Sequence, residues 1–250
     1  MTITTSPRRE SFCGCSRALD DDCARERTGS RARRALTMSR PRILTTVEDI
    51  AFVGGDLCLD FVNTTGDRAS GQPRERLLGY VDLLTWSQRA GILDSKVAAR
   101  LQRAESRRPV DAADALRRAR KLREQLYDLL SAFAERRRPT AAAVDRLAAY
   151  WRVARRDQHL ILADDGLDIR TIPNHEDFAG LMSPIVAAAV DLLTSDRRSL
   201  IRRCTECDWL FLDTSKNGTR RWCKATCGNR ARARGRYTRR RRSALTPTGR

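Results

Sequence analysis

Between residues 74 and 193 most apolar side chains recur at steps of three or four, the spacing that lays one stripe along a helix. From Arg74, the positions Leu77, Leu78, Val81, Leu84 and Leu93 predict a helix of about four turns ending near Gly91. Asp94 or Ser95 can cap a short helix through Leu101. The clearest stripe follows Asp111: Leu116, Ala119, Leu122, Leu126, Leu129, Leu130 and Phe133 predict a long helix. Arg136, Arg137 and Arg138 are expected in its last turn, where cations suit the helix dipole, and Pro139 ends it. Thr140 then caps another helix, with Val144, Leu147, Tyr150 or Trp151 and Val153 on its buried side. Phe178 to about Leu193 predicts a further helix, apolar through Ile185, Val186 and Val190.

Two segments break this period. His159–Ala163 and Leu167–Ile172, joined at Asp164-Asp165-Gly166, predict a β-hairpin. Phe52 to Thr64 is apolar at Leu57, Cys58, Leu59, Phe61 and Val62, and fits either a short buried strand or the first turns of a helix. Gly54-Gly55 at its start permits a tight turn or a close backbone approach. The fold class expected is α+β: a mostly helical N-terminal domain with a small β-hairpin over 42–196, then a separate, smaller module over 197–242. Residues 1–41 are expected to be a disordered leader, or an upstream extension with translation beginning at Met38, and 243–250 a disordered tail.

Charge sharpens this division. The chain has 250 residues and a formal net charge of +18, with an isoelectric point near 10.7. Residues 197–250 hold 17 Lys and Arg against 3 acids, whereas 38–196 hold 24 against 23. The polyanion-attracting field therefore belongs to the C-terminal fifth. No apolar run approaches a membrane span, and the first thirty residues lack the apolar core of a secretion signal. A cytoplasmic, nucleoid-associated protein is expected.

Motifs for catalysis are missing. No G-x-x-x-x-G-K-[ST], G-x-S-x-G or H-E-x-x-H is present, and neither His159 nor His175 stands near a nucleophile motif. Asp56 and Asp60 would share a face if their segment is helical, but acids so placed more often cap helices and order loops. Cys58, set among apolar residues, reads as a small buried hydrophobe. The chain is expected not to be an enzyme.

Cysteine spacing carries the strongest chemistry. Cys204, Cys207, Cys223 and Cys227 form C-x2-C-x15-C-x3-C, two close pairs that can converge on one tetrahedral ion. Zn²⁺ suits four thiolates; an iron–sulfur cluster competes, and a disulfide is disfavoured by a reducing compartment. Four protein ligands leave no open position for water, so the metal is expected to be structural. Cys13, Cys15 and Cys23 lack a fourth partner and read as free thiols. Between the pairs, Asp208–Asp213 reads as a strand, Ser215–Gly218 as a turn and Thr219–Cys223 as the returning strand. Helical composition begins near Ala225, which puts Cys227 in the first turn; knuckle, hairpin and helix together predict a treble-clef-like zinc finger over 197–242. A piece of about forty residues cannot bury a core of its own, so the finger is expected to unfold without metal.

Arginine follows the last ligand. Arg230, Arg232, Arg234, Arg236, Arg239 and Arg240, with Arg220 and Arg221 upstream, are the candidate nucleic-acid contacts; Arg241 and Arg242 extend the run. Arg230, Arg234 and Tyr237 fall at i, i+4 and i+7 on one helix face. Guanidinium groups suit bidentate contact with phosphate and with guanine edges.

Cys223-Lys-Ala-Thr-Cys-Gly-Asn-Arg230 resembles the CGNR zinc-finger family, as do Phe211-Leu-Asp213, Ser215, Asn217 and Arg220-Arg221. The run from Gly54-Gly55 to Leu59-Asp-Phe-Val-Asn-Thr64 resembles the start of the ABATE domain that precedes this finger in bacterial proteins. The two resemblances cover about 42 to 242 and imply a stress-related transcriptional regulator. Within the motif, Arg230 is expected to face phosphate or a base edge. Gly228 and Asn229 are assigned structural roles, Asn229 as a cap or a bond to the knuckle backbone.

The expected function is a DNA-binding transcriptional regulator whose N-terminal domain senses an unknown small-molecule ligand or pairs subunits as a homodimer. The alternatives are an RNA- or ribosome-associated zinc protein and a zinc-mediated protein–protein adaptor.

Overall fold

The computed structural model describes residues 46–164, 166–174 and 177–245, with side chains through Arg241. The expectations for the leader, for Cys13, Cys15 and Cys23, for His175 and for residues 246–250 lie outside these. In chain order the elements are α1 (Leu57–Val62), α2 (Tyr80–Arg89), α3 (Ser95–Arg107), α4 (Pro109–Ala134), α5 (Ala141–Ala154), β1 (Gln158–Ala163), β2 (Gly166–Thr171), α6 (Met182–Thr194), β3 (Ile201–Arg203), β4 (Leu210–Leu212) and α7 (Ala225–Leu245). Each strand pair is a two-stranded antiparallel hairpin, β1 with β2 and β3 with β4. The architecture is the expected α+β: helices, one small hairpin, then a zinc finger. Among the described residues no helix is long and apolar enough to cross a membrane.

The ambiguous segment after Gly54-Gly55 is helical. Asp56 caps α1 by accepting from Cys58 N–H at 3.3 Å, and Cys58, Leu59, Phe61 and Val62 are all buried. Gly54 is required by contact: a Cβ there would stand 2.7 Å from the Cβ of Leu59. Its N–H instead donates to the buried Asp60 carboxylate at 2.8 Å.

Several boundaries differ from the periodicity. The helix expected from Arg74 begins only at Tyr80, because Arg74 is paired in a β-bridge with Gly66 and Glu75 accepts the N–H groups of Arg76 and Leu77. Leu78 and Val81 are consequently exposed. α3 runs past Leu101 to Arg107, capped by Asp94 through Val97 N–H. α4 stops at Ala134, so Arg136–Arg138 lie beyond its last turn. Arg136 adopts φ +56°, and the N–H groups of Arg136 and Arg137 close on the carbonyls of Phe133 and Ala132, a Schellman ending built without glycine. Thr140 caps α5 as expected, yet Val144 and Val153 are exposed and the helix packs through Leu147, Tyr150 and Trp151. The helix expected from Phe178 starts at Met182, after turns at Asp177 and Gly180.

α4 organises the core. Its 26 residues bury Leu116, Ala119, Leu122, Leu126 and Leu130, and one charged group, Arg123. That guanidinium forks onto Glu75 at 2.7 and 2.6 Å, with Glu124 at 2.9 Å and Thr64 Oγ1 at 3.2 Å completing its shell. A buried charge is tolerated because these four bonds occupy four of its five N–H groups and pair it with two carboxylates.

The finger does not stand apart from this core. Ile201, Leu210, Phe211 and Leu212 belong to the same buried cluster as Leu59, Phe61, Trp86 and Leu126. The Asn63 carboxamide, fully buried at the end of α1, bonds the backbone of Leu210 from both its amide and its carbonyl. Leu212 N–H donates to Gly54 carbonyl at 2.8 Å, and Trp209 Nε1–H to Thr65 carbonyl at 2.9 Å.

Candidate metal centre and basic helix

Strand β3 ends at Arg203 and the chain turns sharply through Cys204 to Trp209. Cys204 N–H donates to Trp209 carbonyl at 2.8 Å and Asp208 N–H to Cys204 carbonyl at 3.0 Å, with Asp208 at φ +60°. This knuckle presents Cys204 and Cys207 on the tip of the β3–β4 hairpin. The partner of the 208–213 strand is therefore 201–203, and not Thr219–Cys223 as the sequence suggests. Residues 219–223 return as extended chain without strand pairing, tied to the knuckle by Thr205 N–H to Arg221 carbonyl at 3.2 Å. The second edge of β4 is already taken, by the Asn63 carboxamide at Leu210 and the Gly54 carbonyl at Leu212, which leaves 219–223 no ladder to join.

Cys223 precedes α7 and Cys227 lies in its first turn. The four sulfurs lie within 4.8 Å of one another, all four residues are buried, and none is in a disulfide. Cys207 and Cys223 sulfurs are 3.6 Å apart, Cys223 and Cys227 3.6 Å, and Cys227 and Cys207 3.7 Å. A tetrahedral ion with 2.3 Å bonds to sulfur needs edges of about 3.8 Å, so the cage fits Zn²⁺. The thiols share protons. Bonds from Cys207 and Cys223 hold the Cys204 sulfur far below the ordinary thiol range, and donating to Cys204 pushes Cys207 up to about 12. Zinc, when bound, supplies the charge that lets all four act as thiolates and pins knuckle to helix.

The Cys-Gly-Asn-Arg run now has a physical reading. Cys227 is a ligand. Gly228 lies under the Trp222 ring, where a Cβ would stand 3.3 Å from a ring carbon. Asn229 is exposed and accepts from Arg232 Nη2 at 2.8 Å, in place of the expected cap or knuckle bond. Arg230 is exposed along its side chain, yet its guanidinium already has partners: Nη2 donates to the Cys227 sulfur at 3.3 Å, and Nε lies 4.0 Å from Glu206. A cation beside four thiolates offsets part of their charge and orients the ligand it touches.

Two further candidates are exposed but engaged by neighbours within the finger. Arg220 donates to the carbonyls of Trp222, at 2.9 Å, and Cys223, and its guanidinium lies 4.8 Å over Phe211, so it braces the returning segment instead of reaching outward. Arg234 is paired with Glu206, an acid between the first two ligands whose side chain is almost buried. The remaining candidates face outward: Arg221, Arg232, Arg236, Arg239 and Arg240 are exposed. Arg232, Arg236, Arg239 and Arg240 follow i, i+4, i+7, i+8 along α7 and so form one face. Arg232, Arg236 and Arg239 line, with Arg221 and Trp222, a groove of about 580 Å³. The backbone of α7 continues to Leu245, past the expected boundary at 242.

Sequence reasoning missed Glu206, Trp222 and Asn63. Glu206 alone left a signal, as an acid between two cysteine ligands in a strongly basic segment. In the helical part, a cavity of about 450 Å³ lies between α5 and α6, lined by Tyr150, Val153, Asp157, Met182, Ser183 and Val186 among others.

Comparison with known families agrees with this anatomy. Residues 201–241 match the CGNR zinc finger, whose defining residues surround the four-thiolate cage. Residues 55–196 match ABATE, described as "Putative stress-induced transcription regulator". No curated protein matches the chain. Since the ABATE match alone spans more than half of the sequence, the chain belongs to the ABATE family, and a CGNR zinc finger built for Zn²⁺ closes it.

Proposed function

We propose that this protein is a DNA-binding transcriptional regulator whose zinc finger presents α7 to the phosphate backbone. The observation that carries the reading is the single exposed face of Arg232, Arg236, Arg239 and Arg240, set on a helix anchored at its first turn by a metal ligand. Arg236, Arg239 and Arg240 have no acidic partner among the described residues. Guanidinium groups suit bidentate contact with phosphate oxygens, and such contacts set a protein's register on a duplex. The 450 Å³ cavity between α5 and α6 is of a size for a small effector, which supports a sensing role for the helical domain. The role is binding, with no chemical step.

Fluorescence anisotropy of zinc-loaded protein with duplex DNA across a salt series tests this. Contacts from Arg221, Arg232, Arg236, Arg239, Arg240 and Arg241 give a slope of log affinity against log salt near −5, from about 0.9 per phosphate. A flat salt dependence overturns the reading, and displacement by structured RNA at lower concentration than by duplex DNA moves it to RNA.

A further inference from the structure

The β1–β2 hairpin is turned inside out. Its register pairs Leu160 with Ile169 and Leu162 with Leu167. Residues opposite each other in an antiparallel ladder share a face, and so do residues two apart along a strand. These four side chains therefore form one square. They are 66%, 62%, 84% and 71% exposed, in the order Leu160, Ile169, Leu162, Leu167. The opposite face carries His159, Ile161 and Ala163 against Arg170, Asp168 and Gly166, including the Asp168–Arg170 ion pair at 3.3 Å. A one-sided sheet places its apolar face on the core and its polar face in water. Here the more polar face includes half-buried Ile161 and Ala163, and the apolar one faces solvent. A two-stranded hairpin is marginal in water and gains stability when its apolar face is covered.

We infer that this face is the surface on which a second copy of the chain docks. The square exposes roughly 500 Å² of apolar area, at the upper end of what a soluble monomer shows in one patch. Ile172, which prolongs the ladder by donating to Asp157 carbonyl at 2.8 Å, adds further exposed apolar surface beside it. Two such faces stacked about a two-fold axis bury about 1,000 Å² or more, which reaches the threshold for a specific interface. The four members are all Leu or Ile and carry no charge, so the patch is complementary to itself, as an isologous contact requires. Residues 38–196 hold 24 basic and 23 acidic side chains, so two helical domains meet without the repulsion that two fingers would feel. Pairing there gives the complex two basic helices, and this consequence rests on the proposed nucleic-acid role; the pairing itself does not.

Sedimentation velocity on the zinc-loaded full chain, without nucleic acid, is the test. The wild type is expected to sediment as a dimer at micromolar concentration. Leu162→Glu and, separately, Leu167→Lys are expected to weaken self-association about thirtyfold or more, the size of a single hot-spot loss. Both positions are exposed, so zinc content and helical circular dichroism are expected to stay at wild-type values. A wild type that remains monomeric at about a hundred micromolar overturns the inference. Dimers that survive both substitutions overturn it too, because the contact then lies elsewhere. A monomer that still binds DNA with a steep salt slope leaves the proposed function standing, whereas a dimer with a flat slope removes that function and keeps this surface.

Discussion

The Asn63 side chain replaces a strand edge for Leu210: its Nδ2 donates to the Leu210 carbonyl at 2.8 Å and its Oδ1 accepts the Leu210 N–H at 2.9 Å. The two residues are 147 positions apart, and both are fully buried. β4 pairs with β3 on one side only, so its other polar groups need partners in a region without water. Asn63→Ala leaves a buried donor and a buried acceptor unmet, each costing about 1–3 kcal/mol. We expect Asn63→Ala to lower unfolding free energy by about 2–4 kcal/mol in urea titrations of zinc-loaded protein. Asn63→Asp keeps the acceptor but sets a carboxylate against the Leu210 carbonyl, and is expected to be at least as destabilising. A change below about 0.5 kcal/mol in both would show that water replaces the contact.

That contact also limits what metal removal does. Zinc fingers in isolation owe about 10–16 kcal/mol to their ion. In this chain Ile201, Leu210, Phe211 and Leu212 are held in the common core, whereas α7 is attached through Cys223 and Cys227. Chelation, or Cys223→Ser, is expected to melt α7 and free the returning segment while β3–β4 stays docked. Far-ultraviolet circular dichroism should lose no more than the 21 residues of α7, and DNA affinity should fall to background. Loss of the whole helical signal would mean that the core depends on the ion.

These two cases mark how far the sequence could be read. The cysteine spacing pointed to a single cage because four ligands within 24 residues have few other ways to be used. The Asn63–Leu210 bond left no such trace, since a polar residue ending an apolar run looks the same whether it caps a helix or joins a distant strand. Arginine counts located the basic segment but not its directions: Arg220 and Arg230 bond carbonyls and a sulfur within three residues of themselves, and Arg234 meets Glu206, 28 residues away, only once the knuckle is folded. Periodicity likewise overran at Arg136, because an αL ending without glycine carries no local signature.

The two arginine populations predict separable phenotypes. Arg230 touches the Cys227 sulfur, so Arg230→Ala is expected to weaken zinc about tenfold or more, as partners of metal ligands do. Competition with a chromogenic chelator measures this. Arg236→Ala is expected to leave zinc affinity unchanged and to lower the magnitude of the salt slope for DNA by about 1. If Arg236→Ala weakens zinc, or Arg230→Ala does not, the assignment of the two faces is wrong.

Asp60 gives the fold a pH dependence whose sign follows from its burial. Removal from water pushes its carboxyl up to about 6 from an ordinary 3.8, although the Gly54 N–H pulls the other way. The folded state therefore holds the proton more tightly than the unfolded chain. Stability from this group is present in full below about pH 4 and is lost as pH rises through about 6. The difference corresponds to at most about 3 kcal/mol, at 1.36 kcal/mol for each factor of ten in proton affinity. Asp60→Asn keeps an oxygen for the Gly54 N–H and removes the titration. Measured at fixed saturating zinc, the stability of Asp60→Asn relative to wild type is expected to rise between pH 4 and 6.5 and then level off. Subtracting the two curves cancels the pH dependence of the metal site, which both proteins share. A difference that stays flat across that window would place the Asp60 carboxyl in the ordinary range, with its buried charge fully compensated by the loop at Gly54.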